Sequence, residues 1–469
     1  MSTDTIAAIA TALSDAGIGI IRVSGAEAFS GVDCIFYNMA GRRVLSENSS
    51  HSVSDGYIAA PGFGEDWKKG IVDEVMVVLM KAPHSYTMED TVEINCHGGV
   101  LLLQKVLQLV LRSGARLAEP GEFTKRAFLN GRMDLSQAEA VMDVIHSQSE
   151  MALSSSMEQL TGKLAAVIRD LREEILYEIA FIESALDDPE HISLEGYEER
   201  LNERCNAFIH RIEKLIASAD NGKLIREGIK TVILGRPNAG KSSLLNAVLG
   251  EERAIVTQVP GTTRDILQET VRLRGITLHM VDTAGIRHTE DIVEQIGVDK
   301  AREYADKADL VLFVIDGSAM PDERERDIIS LIEQKHVIAV INKTDLPSIV
   351  TDEQIKSLFS DKEDLKIARI SASEGIGLDQ LEKQIEELFF SGVIKENQEA
   401  VITNMRHREA LEDAYKSLLL VRQSLENHMP EDFYSIDMMG AYTALGYIVG
   451  EEVGDDLVQE IFSKFCMGK

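Results

Sequence analysis

Residues 235–243 read GRPNAGKSS, directly after the apolar run IKTVIL and directly before LLNAVLG, a segment of helical composition. Strand, glycine-rich turn and helix, in that order, are the context in which G-x4-G-K-[ST] is a phosphate-binding loop. Gly235 and Gly240 let successive backbone N–H groups turn inward, Lys241 reaches the β- and γ-phosphates, and Ser242 offers a hydroxyl to Mg²⁺. The loop Asn238, Ala239, Gly240, Lys241, Ser242 and Ser243 is therefore the first part of a nucleotide site.

Four more motifs follow: PGTTRD (260–265), DTAG (282–285), NKTD (342–345) and SAS (371–373). This is the order a GTPase requires. Asp345 can accept from both N1–H and the 2-amino group of guanine; adenine lacks that pair and would leave a buried carboxylate unpaired. Asn342 and Lys343 brace the base, with Thr344 between them and Asp345, and the backbone of Ser371, Ala372 and Ser373 meets the guanine O6. Asp282 is placed to hold Mg²⁺ through water, Thr283 and Ala284 lead to Gly285, whose N–H senses the γ-phosphate, and Thr263 is the expected switch threonine on Mg²⁺.

Around the loop, the runs IKTVILG, ITLHMVD, DLVLFVID, HVIAVIN and KIARIS alternate with helical segments. Alternation of that kind builds a mostly parallel sheet with helices on both faces. This α/β unit is expected over 223–391. Residues 1–119 mix short apolar runs (GIGIIRVSG, VDEVMVVLM, TVEINCHGG) with one helical stretch at 100–112, which reads as a smaller α/β domain. Residues 120–222 turn helical, and the proline-free run 138–186 is expected to form one very long helix or two in line. Helical patterning returns over 392–469, near 404–427, 435–450 and 454–465. The simplest inference is an α/β unit inserted into a helical domain built from both flanks.

At 469 residues the chain exceeds the ~250–300 at which a single core stops growing. No uncharged apolar run reaches the ~18 residues a membrane span needs, and the best stretch, from Val100, is interrupted by Gln104, Lys105 and Gln108. The apolar N-terminus carries Asp4 and no basic region, so a cytoplasmic protein is expected. Four cysteines, Cys34, Cys96, Cys205 and Cys466, lack CxxC spacing, which argues against a zinc site and a disulfide framework. A net charge of −30 repels nucleic acid overall, so RNA contact needs a local basic patch or a partner protein.

The glutamine that orients the attacking water in Ras-like enzymes follows the DxxG element; here Ile286 stands there. The task falls to another group, and Glu290, Asp291 and Glu294 are the nearby carboxylates. Charge neutralisation could come from Arg264 or Arg287, or from a monovalent cation held by the Asn238 amide and carbonyls of VTQVPGTT.

GRPNAGKSSLLNAVLG, PGTTRD, DTAGIR, the carboxylate Glu294, GEFTKRAFLNGRMDLSQAEAV and the terminal FCMGK together resemble the tRNA-modifying GTPases of the MnmE (TrmE) family, over the whole chain. The resemblance implies an N-terminal α/β folate-binding and dimerisation domain, a helical domain formed by two segments, and an inserted Ras-like P-loop domain. It implies a K⁺-dependent GTP hydrolase that helps to modify the wobble uridine (U34) of tRNA at carbon 5, adding an aminomethyl or carboxymethylaminomethyl group. The implied cofactors are Mg²⁺, K⁺ and a 5-formyl- or methylene-tetrahydrofolate. The implied partners are a second copy of the chain, the flavoprotein MnmG (GidA) in a heterotetramer, and tRNA, with no membrane. Carried over by motif, the K⁺ ligands are Asn238, Thr257, Val259 and Thr262, flanked by Gln258, Pro260 and Gly261 in the same nucleotide-contacting stretch. Mg²⁺ falls to Ser242 and Thr263, and Glu294 and Lys241 are catalytic. The folate site would use Arg22, Glu93, Arg132 and Lys469. Arg132 departs from relatives that have lysine there.

Cys466 lies three residues from the end. The tail CMGK does not fit C-a-a-X, so a prenyl anchor is not expected. A frayed helix end and a thiol assisting one-carbon chemistry both remain, and the resemblance favours the second. Two rival functions fit parts of the sequence: a ribosome-assembly GTPase, which usually appends a basic RNA-binding module not visible here, and a folate-dependent one-carbon transferase with a regulatory GTPase domain.

Overall fold

The computed structural model describes all residues except 1–3, 44, 189, 194, 251–268, 274, 281–297, 360, 361, 363, 364, 391–399, 452, 467 and 469. The chain forms two compact units: one of residues 1–142, 159–172 and 445–469, the other of 143–158 and 173–444.

The first unit is built on seven strands: β1 (Ile6–Ile9), β2 (Ala16–Ser24), β3 (Phe36–Asn38), β4 (Ser52–Ala59), β5 (Ile71–Met80), β6 (Thr91–Gly98) and β7 (Arg116–Leu117). Their order is β3-β4-β5-β6-β2-β1-β7, antiparallel throughout except for β1 against β7. Alternation along the strands decides what each face carries. Ile21 and Val23 of β2 and Val92 and Ile94 of β6 point into the core, joined by Leu103, Val106 and Val110 of α2 (Val100–Arg112). Arg22 and Glu93, paired across β2 and β6, therefore lie on the opposite face. A short helix, α1 (Ala28–Asp33), closes the core beside α2.

Helix α3 (Glu122–Leu129) follows the sheet, then α4 (Leu135–His146), α5 (Glu150–Leu160), α6 (Lys163–Asp187) and α7 (Tyr197–Glu227). The proline-free run thus forms three helices where one or two were expected. The breaks fall at Ser147–Ser149 and at Thr161–Gly162, where Gly162 takes φ +89°, a left-handed value that ends a helix at no Cβ cost.

The second unit holds six strands: β8 (Ile229–Leu234), β9 (Glu269–Leu273), β10 (Ile276–Met280), β11 (Leu310–Asp316), β12 (His336–Asn342) and β13 (Lys366–Arg369). Their order is β13-β12-β11-β8-β10-β9. All neighbours are parallel except β9, an antiparallel edge strand that the sequence reading did not contain. Both faces are covered, as continuous apolar strands demand. Ile233, Leu312, Val314, Ile338 and Val340 meet Leu244, Leu245 and Val248 of α8 (Lys241–Leu249) and Leu381 and Ile385 of a later helix on one side. Val311, Phe313, Ile315, Ala339 and Ile341 pack on the other with Ala305 of α9 (Val298–Lys307), Ile329 of α10 (Glu323–Ile332) and Ile355 of α11 (Asp352–Leu358).

Beyond α12 (Leu378–Phe390), which carries Leu381 and Ile385, come α13 (Met405–Glu426), α14 (Glu431–Val449) and α15 (Asp455–Ser463). Helix α7 precedes the parallel sheet and α13 follows it, yet the two pack together. Cys205 Sγ donates to Leu418 O at 3.3 Å and Tyr415 donates to Glu213 at 3.0 Å. Inside the first unit α15 closes on α3: Phe462 lies 6.2 Å from the Phe128 ring, and Gly121 N donates to Cys466 O at 3.3 Å. The chain is thus an α/β sheet unit inserted between helical flanks, preceded by a second α/β sheet. No helix among the described residues is long and apolar enough to cross a membrane.

Candidate functional site

β8 ends beneath the loop 235–240, and α8 begins at Lys241, so the helix points its unpaired N–H groups at the loop cavity. Gly240 takes φ +93°, and a Cβ there would sit 2.0 Å from Asn342 Nδ2, so this position admits only glycine. Asn238 also has a left-handed φ, +61°, unusual for a residue with a Cβ, and its side chain is exposed. Strain of this sort, on the order of 1 kcal/mol, collects at functional loops.

Lys241 folds back over its own loop, donating from Nζ to Gly235 O at 2.9 Å and Arg236 O at 2.7 Å. Burial pulls its pKa down to about 8. The carbonyls hold the ammonium where phosphate oxygens are expected. Ser242 and Ser243 stand exposed on the first turn of α8, accessible to a hard cation.

The base-reading segments interlock with this loop. Asn342 donates from Nδ2 to Ala239 O at 3.0 Å and accepts at Oδ1 from Ala372 N at 3.0 Å, so a single side chain ties 239 to 372. Ser371 Oγ donates to Asp345 Oδ1 at 2.6 Å and lies 3.1 Å from Ser373 Oγ. Thr344 N donates to Ile370 O at 3.1 Å, which seats NKTD on the end of β13. The carboxylate of Asp345 is thus already aimed by hydrogen bonds.

Two residues that motif reading passed over join them. Asp316, directly opposite Asn342 in the sheet, accepts from Lys343 Nζ at 2.7 Å, and Lys343 has φ +67°. Burial alone would raise the Asp316 carboxyl, but Lys343 and Ser318 hold it below its ordinary value. Arg236 reaches both Asp316 and the buried Glu325, at 3.7 Å each. Their only sequence signal was an acid closing the apolar run DLVLFVID. Thr257, Gln258, Val259, Pro260, Gly261, Thr262, Thr263, Asp282, Thr283, Ala284, Gly285, Glu294 and Lys469 lie outside the described residues.

A second polar cluster forms on the face of the seven-stranded sheet opposite α2, beside the small buried cluster of Ile6, Ala8, Ala118 and Phe123. Arg22 Nε bonds Glu93 Oε1 at 2.8 Å, and Arg22 NH1 donates to Gly468 O at 3.3 Å, across 446 residues of chain. Two guanidiniums flank one ring: Arg22 lies 5.3 Å and Arg132 4.7 Å from the Tyr86 centroid. Arg132 also donates to Tyr86 O at 2.7 Å. Gly468, at φ +86°, packs so closely that a Cβ would lie 2.4 Å from Ile9 O. Three of the four residues expected at a folate site are therefore brought together, with the tail beside them. The Cys466 side chain is exposed. Among the described residues no group of three or more His, Cys, Asp or Glu could hold a metal; hydroxyls, amides and phosphates remain as donors.

Two family models match: "GTP-binding protein TrmE N-terminus" over residues 5–132 and "MnmE helical domain" over 135–466. A tRNA modification GTPase MnmE from Lachnoclostridium phytofermentans is 54% identical over 469 residues, covering 100% of both chains. That of Alkaliphilus oremlandii is 46% identical over 466 residues and 99% of each. Among solved structures, the G domain of the T. maritima FeoB iron transporter matches 34% of this chain and 97% of its own, at 25% identity and a TM-score of 0.25. With a family model over most of the chain and full-length relatives at this identity, the chain belongs to the MnmE family of tRNA modification GTPases and is a GTP hydrolase acting in tRNA modification.

Proposed function

We propose that the chain is the K⁺-dependent GTPase component of a system that modifies U34 of tRNA at carbon 5, working as a cytoplasmic homodimer with the flavoprotein MnmG and a tetrahydrofolate. The observation that carries this finer reading is the Arg22–Glu93–Gly468 contact, which draws the two ends of the chain to one cationic, aromatic-lined face. Glu93 suits the N3–H and 2-amino donors of a pterin, while Arg22, Arg132 and Lys469 suit the carboxylates of folate. Such a cofactor supplies the one-carbon unit when bound. Cys466, exposed on the adjoining tail, is the thiol that would assist the one-carbon chemistry.

In the nucleotide site Asn238, Thr257, Val259 and Thr262 would hold K⁺, and Ser242 and Thr263 would hold Mg²⁺. The exposed Asn238 amide and the hydroxyls opening α8 fit hard cations in donor chemistry. Lys241 neutralises the β/γ oxygens and Glu294 orients water where Ile286 cannot. The domains are 1–119 for folate binding and dimerisation, 223–391 for GTP, and 120–222 with 392–469 for the helical scaffold.

The test is turnover with a folate labelled at its one-carbon group. Label should reach tRNA uridine only when the chain, the flavoprotein and GTP are all present. Label transferred without the flavoprotein would replace this reading with a self-sufficient one-carbon transferase.

A further inference from the structure

Asp316 closes β11 directly opposite Asn342, at the end of the sheet where open α/β folds bind their ligands, yet none of the five nucleotide motifs contains it. Both oxygens of its carboxylate are engaged. Oδ1 accepts from Ser318 N at 2.9 Å and from Ser318 Oγ at 2.6 Å. Oδ2 accepts from Lys343 Nζ at 2.7 Å, with Arg236 of the phosphate loop 3.7 Å away. Arg236 is steadied from its other side by one oxygen of Glu325, also at 3.7 Å, whose second oxygen accepts from Asp322 N at 2.8 Å where α10 begins. Asp316 is only 7% exposed, so it is a fixed charge rather than a solvated one.

Lys343 reaches this carboxylate by an uncommon route. Its φ of +67° turns the chain back at the end of β12, and the side chain crosses to the end of the neighbouring β11. A left-handed residue with a Cβ is held only where surrounding contacts outweigh its strain, and the Asp316 pair is such a contact. What the pair secures is one conformation of a long side chain. A free lysine stem loses many rotamers when a base is laid against it. With Nζ pinned, the stem already runs from the NKTD turn toward the phosphate loop before nucleotide arrives, and that ordering no longer weakens binding.

We propose that Asp316 is a positioning residue of the guanine site: it holds Lys343 in the conformation that braces the base and, through Arg236, ties that lysine to the phosphate loop. The inference rests on the base-bracing role read for Lys343 above. Asn342 makes the neutral counterpart of the same tie, from Ala239 to Ala372.

The experiment titrates the purified, nucleotide-free, full-length chain with a fluorescent GDP analogue. Asp316→Asn, of the same shape but uncharged, should weaken binding about tenfold, as expected for losing one charge-assisted hydrogen bond to a partly exposed lysine. Lys343→Met should weaken it by at least as much. In the Lys343→Met background, Asp316→Asn should cost no more than about twofold further, because the carboxylate acts through the lysine. In steady-state hydrolysis the Asp316→Asn loss should fall in KM rather than in kcat. A loss of about tenfold in both backgrounds would overturn the proposal and make Asp316 a residue of the fold alone. Normal affinity of Asp316→Asn beside an impaired Lys343→Met would overturn it and leave Lys343 its role. Normal affinity of Lys343→Met would overturn that role as well. Should Asp316→Asn fail to show a cooperative thermal melt, Ser318→Ala decides. It removes one donor that aims the carboxylate and should weaken binding about threefold with Lys343 present and not in its absence; equal affinity of Ser318→Ala and wild type would overturn the proposal.

Discussion

Raising the pH from about 7 to about 9 should weaken GTP binding about tenfold, through one side chain. In the nucleotide-free pocket burial holds Lys241 at about 8, below its ordinary 10.5, with the Gly235 and Arg236 carbonyls as its acceptors among the described residues. Phosphate oxygens at the same place return the pKa to above ~10, since an opposite charge favours the ammonium. The free site is then about nine-tenths protonated at pH ~7 and about one-tenth at pH ~9, so binding must take up nearly one proton at the higher pH. The difference is about 1.4 kcal/mol, one pKa unit's worth. The same shift has an opposite sign for folding: between about 8 and 10.5 the unfolded chain binds more protons, so the empty protein gains stability as pH rises. Titration with a fluescent GDP analogue, and calorimetry in two buffers of different ionisation enthalpy, would read the affinity and the proton uptake. Lys241→Met should bind weakly with the pH dependence flattened. A wild-type affinity constant from pH ~7 to ~9 with no proton uptake would refute the reasoning, and would mean that the two carbonyls outweigh burial.

Three further outcomes follow from the same geometry. Hydrolysis should run at least about tenfold faster in K⁺ than in Na⁺, measured as phosphate release at saturating GTP, because Asn238 stands where a neutralising group is needed; equal rates would remove the cation. Glu294→Ala should cut kcat by roughly 10²-fold while GDP affinity stays within about twofold, as expected of a residue that acts on water. Gly468→Ala, with a Cβ forced to 2.4 Å from Ile9 O, should displace the tail from Arg22 and weaken folate binding about tenfold in equilibrium dialysis. Hydrolysis of GTP should not change.

The parallel sheet was legible because the centres of its strands, VIL (232–234), LVLFVI (310–315) and VIAVI (337–341), are buried on both faces and are continuous apolar runs. Strand β9, ETVRL, is a half-covered antiparallel edge whose glutamate and arginine dilute the pattern, and it was missed. The break at Ser147–Ser149 was hidden for a related reason: serine and glutamine are weak helix breakers, and only the fold decides whether they interrupt. The nucleotide loop could be read residue by residue because its chemistry is local. Asp316 could not, since an acid at a strand end acquires its meaning from Lys343 and Arg236 arriving from other segments. The same holds for Arg22 and Gly468, whose contact spans 446 positions and leaves no periodic trace.

The central claim is that this GTPase serves wobble-uridine modification. Its most direct measurement is nucleoside analysis of tRNA from cells from which the gene for this chain has been deleted. The account predicts that aminomethyl and carboxymethylaminomethyl groups at carbon 5 of U34 disappear and return when the wild-type chain, but not Glu294→Ala, is supplied. tRNA that keeps its full complement of modified U34 after deletion would contradict it.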